Sequence, residues 1–140
     1  MKRLIHGLLL LSLSLLSMGA RAEFVCEDFL AKIGAKPEFV KFVQCSQDTE
    51  RQGKPLVALY HVPGPDAANA EHYLNQRFGL PPLKRYCCIW ESSSFFYRDR
   101  KTGVGYELAM ASEETLVHER ESWPAIGSFY INVLVYTEEP

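Results

Sequence analysis

Two of the chain's four cysteines stand side by side, Cys87 and Cys88, while Cys26 and Cys45 lie far upstream. An even count in an oxidising compartment pairs into disulfides, and the pairing restricts a small chain more than any other covalent feature. Three connectivities exist. One joins Cys26 to Cys45 and closes Cys87 with Cys88 in a small ring. The other two tie Cys26 and Cys45 to the adjacent pair, one each. Neighbours in a strand point to opposite faces, which suits two separate cross-links from Cys87 and Cys88, so the long-range pairings are favoured. A Cys26–Cys45 bridge stays open, because a helix followed by an antiparallel strand would return the chain near its start. Each bridge is expected to contribute about 2–4 kcal/mol.

The oxidising compartment is itself read from the amino terminus. Lys2 and Arg3 precede an apolar run from Leu8 to Leu16, and Ala20-Arg21-Ala22 then supplies small residues at a cleavage site. These are the parts of an export signal, with cleavage expected after Ala22. The run is shorter than the roughly 20 apolar residues of a spanning helix. Cys26 follows Glu-Phe-Val rather than a lipobox, which argues against lipidation. What remains, residues 23–140, is the right size for one disulfide-bonded domain. Losing Lys2, Arg3 and Arg21 leaves 12 basic against 17 acidic residues and a formal charge of -5. That balance argues against nucleic acid or anionic lipid as partner, both of which need concentrated Lys and Arg. No second segment is apolar enough to span a membrane, and the expected location is periplasmic or secreted.

Along the mature chain the pattern predicts a short helix over Glu27–Ile33, closed by Gly34 in a left-handed cap and stopped by Pro37. Strands are expected at Phe39–Cys45 and Leu56–Val62, the latter apolar on both faces. A second helix begins near Pro65-Asp66, carries the stripe Ala70, Tyr73, Leu74 and Phe78, and ends at Gly79 before Pro81-Pro82. Further strands are expected at Leu83–Trp90, Phe95–Arg98, Val104–Met110 and Phe129–Tyr136, with a short one at Leu116–His118 inside an ambiguous acidic stretch. Phe29-Leu30, Gly34, Pro37 and Cys45 are echoed by Tyr73-Leu74, Gly79, Pro82 and Cys88, which raises a duplicated helix–strand–strand unit. The fold class is α+β, two short helices packed on a mainly antiparallel sheet of five to six strands.

Chemistry-bearing motifs are sparse. His61, His72 and His118 have no second His or Cys at zinc-ligand spacing, and Cys87-Cys88 is not a Cys-x-x-Cys pair. There is no nucleophile elbow, phosphate loop or His-Glu-x-x-His. Glu91 with Glu107 or Asp99 offers a carboxylate pair of little weight in an acid-rich chain. No metal, cofactor or catalytic residue is therefore assigned, and the chain is read as a binding protein rather than an enzyme. The residues assigned to a partner surface are Trp90 and Glu91, the acids Glu113, Glu114, Glu119 and Glu121, and Trp123, since aromatic anchors among charges are what protein interfaces use. The competing reading makes Trp90, Phe95, Tyr97 and Trp123 core residues of a small sheet domain.

Cys-Glu-Asp-Phe-Leu at Cys26–Leu30 and Cys-Cys-Ile-Trp-Glu at Cys87–Glu91 resemble an uncharacterised bacterial family of small exported proteins, classed as a domain of unknown function. The resemblance implies no catalytic residue. It fits small acidic envelope proteins of the immunity or inhibitor type, which neutralise a toxin or hydrolase. The alternative expectation is an envelope enzyme or redox protein built on Cys87-Cys88. Partner identity and oligomeric state are left open.

Overall fold

The computed structural model describes residues 23–139; the leader expected over residues 1–22 lies outside the described residues. The elements are α1 (Phe29–Ile33), β1 (Lys41–Gln47), β2 (Leu56–Pro63), α2 (Ala67–Phe78), β3 (Lys84–Tyr86), β4 (Ile89–Glu91), β5 (Phe95–Arg98), β6 (Gly105–Ser112) and β7 (Ser128–Val135). Short 3-10 helices precede α2 (Gly64–Asp66) and β7 (Arg120–Ala125). All strand pairings are antiparallel, and the sheet runs β1-β2-β7-β6-β4-β3 with β5 beside β6. The α+β class is as expected, with seven strands rather than five or six because Leu83–Trp90 folds back on itself as the β3–β4 hairpin. Leu116–His118 is not a strand. Helix–strand–strand order does occur twice, but Cys45 sits inside β1 and Cys88 in a turn, so the echoed cysteines are not equivalent.

Period-two burial in β2, β6 and β7 divides the sheet into two faces. One carries Ala58, Tyr60, Val62, Leu108, Met110, Ile131 and Val133, all buried beneath the helices. A five-residue helix has almost no stability of its own, so α1 is held from outside. Asp28 caps it by accepting from the Ala31 amide (3.1 Å), and the buried Tyr60 hydroxyl accepts from the Leu30 amide (3.0 Å) while donating to Asp28 (2.9 Å). At its far end, Tyr73 and Arg77 of α2 donate to the carbonyls of Gly34 and Ile33 (both 2.9 Å). Gly34 is not the left-handed cap expected: its φ is -128°, and Ala35 takes the positive value of 49°. Glycine is needed there for space, since a Cβ would lie 2.5 Å from the Tyr73 hydroxyl and 2.6 Å from the Phe78 ring. Gly79 does close α2 in the left-handed region (φ 86°).

These phenols give the fold an alkaline limit. Burial pushes the Tyr60 hydroxyl far above its ordinary value and raises Tyr73 to about 12. A phenol whose folded pKa exceeds its unfolded one stabilises fully below the unfolded value and loses that contribution as pH climbs through the folded one. Stability is therefore expected to hold up to about pH 10 and fall steadily towards pH 12. Denaturant titrations across that range, followed by tyrosinate absorbance, check this. Tyr60→Phe is expected to flatten the fall and to cost about 1–3 kcal/mol at neutral pH, because it strands the Leu30 amide.

Candidate functional site

The β3–β4 hairpin pairs Lys84 with Glu91, Arg85 with Trp90 and Tyr86 with Ile89, which leaves Cys87-Cys88 as its two-residue loop. Tight hairpin loops of this length require a positive φ at the first central residue, usually supplied by glycine. Here Cys87 takes it, at 51°, and is disulfide-bonded to Cys88 with both residues exposed. The second bridge is Cys26–Cys45 (Cα–Cα 5.5 Å), half-buried and packed against the core.

This corrects the long-range pairing favoured from the sequence, and the sheet order explains why. β1 and β3 are its opposite ends, so five inter-strand steps, about 24 Å, separate Cys45 from the Cys87-Cys88 loop. A disulfide needs Cα atoms within about 7 Å. Cys45 instead lies opposite Ala58 on the helix-covered face, where Cys26, just ahead of α1, reaches it.

Residues 113–127, joining β6 to β7, run alongside the hairpin and are strapped to it. The Thr115 amide donates to the Cys88 carbonyl (2.8 Å). Arg85 donates to the carbonyls of Thr115 (2.8 Å) and Val117, and the Trp90 indole also donates to Val117 (2.9 Å). Further along, Arg120 forms a two-pronged pair with Glu71 of α2 (2.7 and 2.9 Å), donates to the Leu83 carbonyl (2.7 Å), and stacks 4.6 Å above the Trp123 ring. The hydrogen bond to Glu71 raises the Arg120 pKa further, so the guanidinium stays ionised at all ordinary pH. The turn is also pressed onto the start of α2. A Cβ on Gly64 would meet the carbonyl oxygens of Ile126 and, at 2.6 Å, Trp123. Neither backbone atom can swing aside, and Gly64→Ala is expected to cost about 1–3 kcal/mol by thermal or denaturant unfolding.

One end of the molecule thus gathers the exposed disulfide, Tyr86 (52% exposed) and Leu116 (94% exposed) with an acidic rim. Glu114, Glu119 and Glu121 are exposed along the strap. Glu113 is exposed too, but its carboxylate accepts from the Ser128 amide (3.1 Å) and so fixes the entry to β7. Glu91 is half-buried at the base of the hairpin. The assignment of Trp90 and Trp123 to a partner surface is corrected: they are 6% and 1% exposed, their rings 5.3 Å apart edge to face, with Trp123 also against Phe129. They hold the strap from beneath. Leu116, Tyr86, Arg85 and Arg120 were not singled out by sequence reasoning. A lone leucine among acids has no periodic partner to mark it, and the arginines act on carbonyls about 30 or more residues away.

The remaining chemistry-bearing residues stay apart. Among the described residues no group of three or more His, Cys, Asp and Glu is placed to hold a metal ion, and no helix is long and apolar enough to cross a membrane. His61 is bonded to Ser128 (2.9 Å), while His72 and His118 are exposed. Glu91 lies opposite Ala111, four positions along β6 from Glu107, an offset of about 13 Å and too wide for a glycosidase pair. Glu107 accepts from Tyr136 (2.6 Å) and faces Arg51, and Asp99 closes the turn before Val104 through Thr102. The sheet face away from the helices carries the exposed Phe96 and Tyr130, each packed against a neighbour on that face. Phe96 lies directly on Gly105 with Arg98 stacked 5.7 Å from its ring, and Tyr130 packs edge-on against His61.

Residues 16–90, just over half of the chain, match the family model described as domain of unknown function DUF4952. The match takes in all four cysteines and the hairpin as far as Trp90, and stops short of the acidic strap. Neither the curated proteins nor the solved structures contain a match.

Proposed function

Starting from a chain that belongs to the DUF4952 family, we propose that it is an exported bacterial envelope protein that binds and neutralises a basic toxin or hydrolase, in the manner of an immunity or inhibitor protein. Export after Ala22 and a periplasmic or secreted location are part of the same reading, supported by the leader pattern and by disulfides that persist in oxidising compartments. The observation that carries it is the end of the molecule where Leu116, Tyr86 and the Cys87–Cys88 bridge project beside Glu114, Glu119 and Glu121. Apolar anchors inside a charged rim are the usual anatomy of a protein interface, and the rim's sign selects a basic partner and speeds its approach. The buried Trp90 and Trp123 beneath, with the bonds from Arg85 and Arg120, keep the surface preorganised, which lowers the entropy lost on binding.

The test compares the mature protein with a Glu114→Lys, Glu119→Lys, Glu121→Lys variant in pulldowns from envelope extracts under conditions that preserve disulfides. A basic toxin or hydrolase held by the wild type, inhibited by it and lost at least tenfold by the charge-reversed variant is the expected result. Equal retention by both, or recovery of no such enzyme, counts against the reading. The amino terminus of the exported protein, read by mass spectrometry, is expected at Glu23.

A second reading, an envelope redox protein, draws on one observation: Cys87 is bonded to Cys88 at an exposed turn. Catalysed reduction or oxidation of a substrate protein by the wild type, abolished in Cys88→Ser, would favour it over the binding role.

A further inference from the structure

We infer that Cys87–Cys88 is a thiol–disulfide exchange site whose redox state makes or breaks the hydrogen bond tying Thr115 of the acidic strap to the hairpin loop. Four observations converge. The two bridges differ in access, since Cys87 and Cys88 are exposed whereas Cys26 and Cys45 are half-buried against the core, and exposed disulfides are the labile ones. Cys87 occupies a left-handed backbone conformation at φ 51° that a non-glycine residue adopts only at a cost. The covalent link to Cys88 holds it there in glycine's place. The Cys88 carbonyl, carried by that same turn, is the acceptor for the Thr115 amide at 2.8 Å. Thr115 is followed by Leu116, at 94% the most exposed large apolar side chain among the described residues.

Opening the bridge therefore does more than change two sulfurs. A dithiol reductant supplies the electrons: one of its thiolates attacks a cysteine sulfur, the Sγ–Sγ bond breaks, and the other cysteine leaves as a thiolate that takes up a proton. The reductant's second thiol then attacks the mixed disulfide, frees the second cysteine and departs as a disulfide. Two electrons and two protons pass to the protein. Cys87 is then released to relax towards negative φ, the hairpin loop reshapes, and the Cys88 carbonyl swings away from Thr115. Arg85 still holds the carbonyls of Thr115 and Val117, and the Trp90 indole still holds Val117, so the disturbance is confined to the Thr115 amide and the residues just before it, Glu113 and Glu114. The consequence for function rests on the binding reading above, of which this would be the redox control; the coupling itself can be measured without any partner.

Backbone amide exchange by NMR on the mature protein, with disulfides mapped by mass spectrometry at each step, tests it. Limited dithiol is expected to open Cys87–Cys88 while Cys26–Cys45 stays closed, and the Thr115 amide is expected to exchange about tenfold faster or more, with Val133 in β7 unchanged. The double variant Cys87→Ser, Cys88→Ser should behave like the reduced protein. Cys87→Gly, Cys88→Ser should keep Thr115 slow without any bridge, because glycine accepts the positive φ. Equal Thr115 exchange in oxidised and reduced protein, or opening of Cys26–Cys45 first, overturns the inference. Because no partner is present, that failure leaves the binding reading standing, and failure of the charge-reversal pulldown leaves this coupling standing.

Discussion

Trp123→Ala is expected to cost about 3–5 kcal/mol, a large share of the roughly 5–15 kcal/mol by which such domains are stable. The ring is 1% exposed, edge-on to Trp90 and tilted against Phe129, both at 5.3 Å, and it forms the floor on which Arg120 stacks. Removing it opens a cavity that cannot collapse, because Gly64 already presses the same turn against α2. Trp123→Phe is expected to cost distinctly less, since it keeps much of the packing and eliminates an indole N–H that is buried without a partner among the described residues. Urea unfolding at neutral pH measures both. Were Trp123 a partner anchor instead, the alanine variant would unfold within about 0.5 kcal/mol of wild type and lose only binding.

Removing the Cys26–Cys45 bridge by paired serine substitutions is the second large effect, about 3 kcal/mol for a closed loop of 19 residues. The loss has a particular address. α1 is only five residues long, is led in by Cys26, and reaches β2 through the hydroxyl of Tyr60. The bridge ties that helix to β1, an edge strand with neighbours on one side only. Amides of α1 are therefore expected to lose protection from exchange before those of β6 and β7, and Tm should fall by roughly 10 °C or more, at about 4 °C per kcal/mol for a domain of this size. Uniform loss of protection across all elements would contradict this picture. Replacing Cys87 and Cys88 should cost much less, because so short a loop removes little entropy from the unfolded chain.

Much of the fold was legible because its signals are local. Gly79 after an apolar stripe, Pro81-Pro82 beyond it, and period-two alternation at Val104–Met110 each report on a few neighbouring residues. The β3–β4 hairpin escaped notice because Cys-Cys is not a recognised turn pair; asparagine, aspartate or glycine normally marks one. The acidic strap escaped for a different reason. It has no regular structure, and its conformation is written in the side chains of Arg85, Trp90 and Glu71, residues from other elements. Of the proposed interface, the acids were visible as charges and Leu116 was not, since nothing nearby in sequence tells an exposed leucine from a buried one.

The sequence by itself determined the composition of the bonds available: four cysteines, an acidic surplus, a helix–strand order and no recognised catalytic motif. Which cysteines meet was decided only by the sheet, because strand order puts Cys45 and the Cys87-Cys88 loop at opposite edges. The same holds for the two tryptophans. Their spacing from acids marked them as surface anchors, and packing across β4, the strap and β7 made them its floor. Pairing and burial are long-range properties, set by which elements come to lie together, and no window of neighbouring residues contains them.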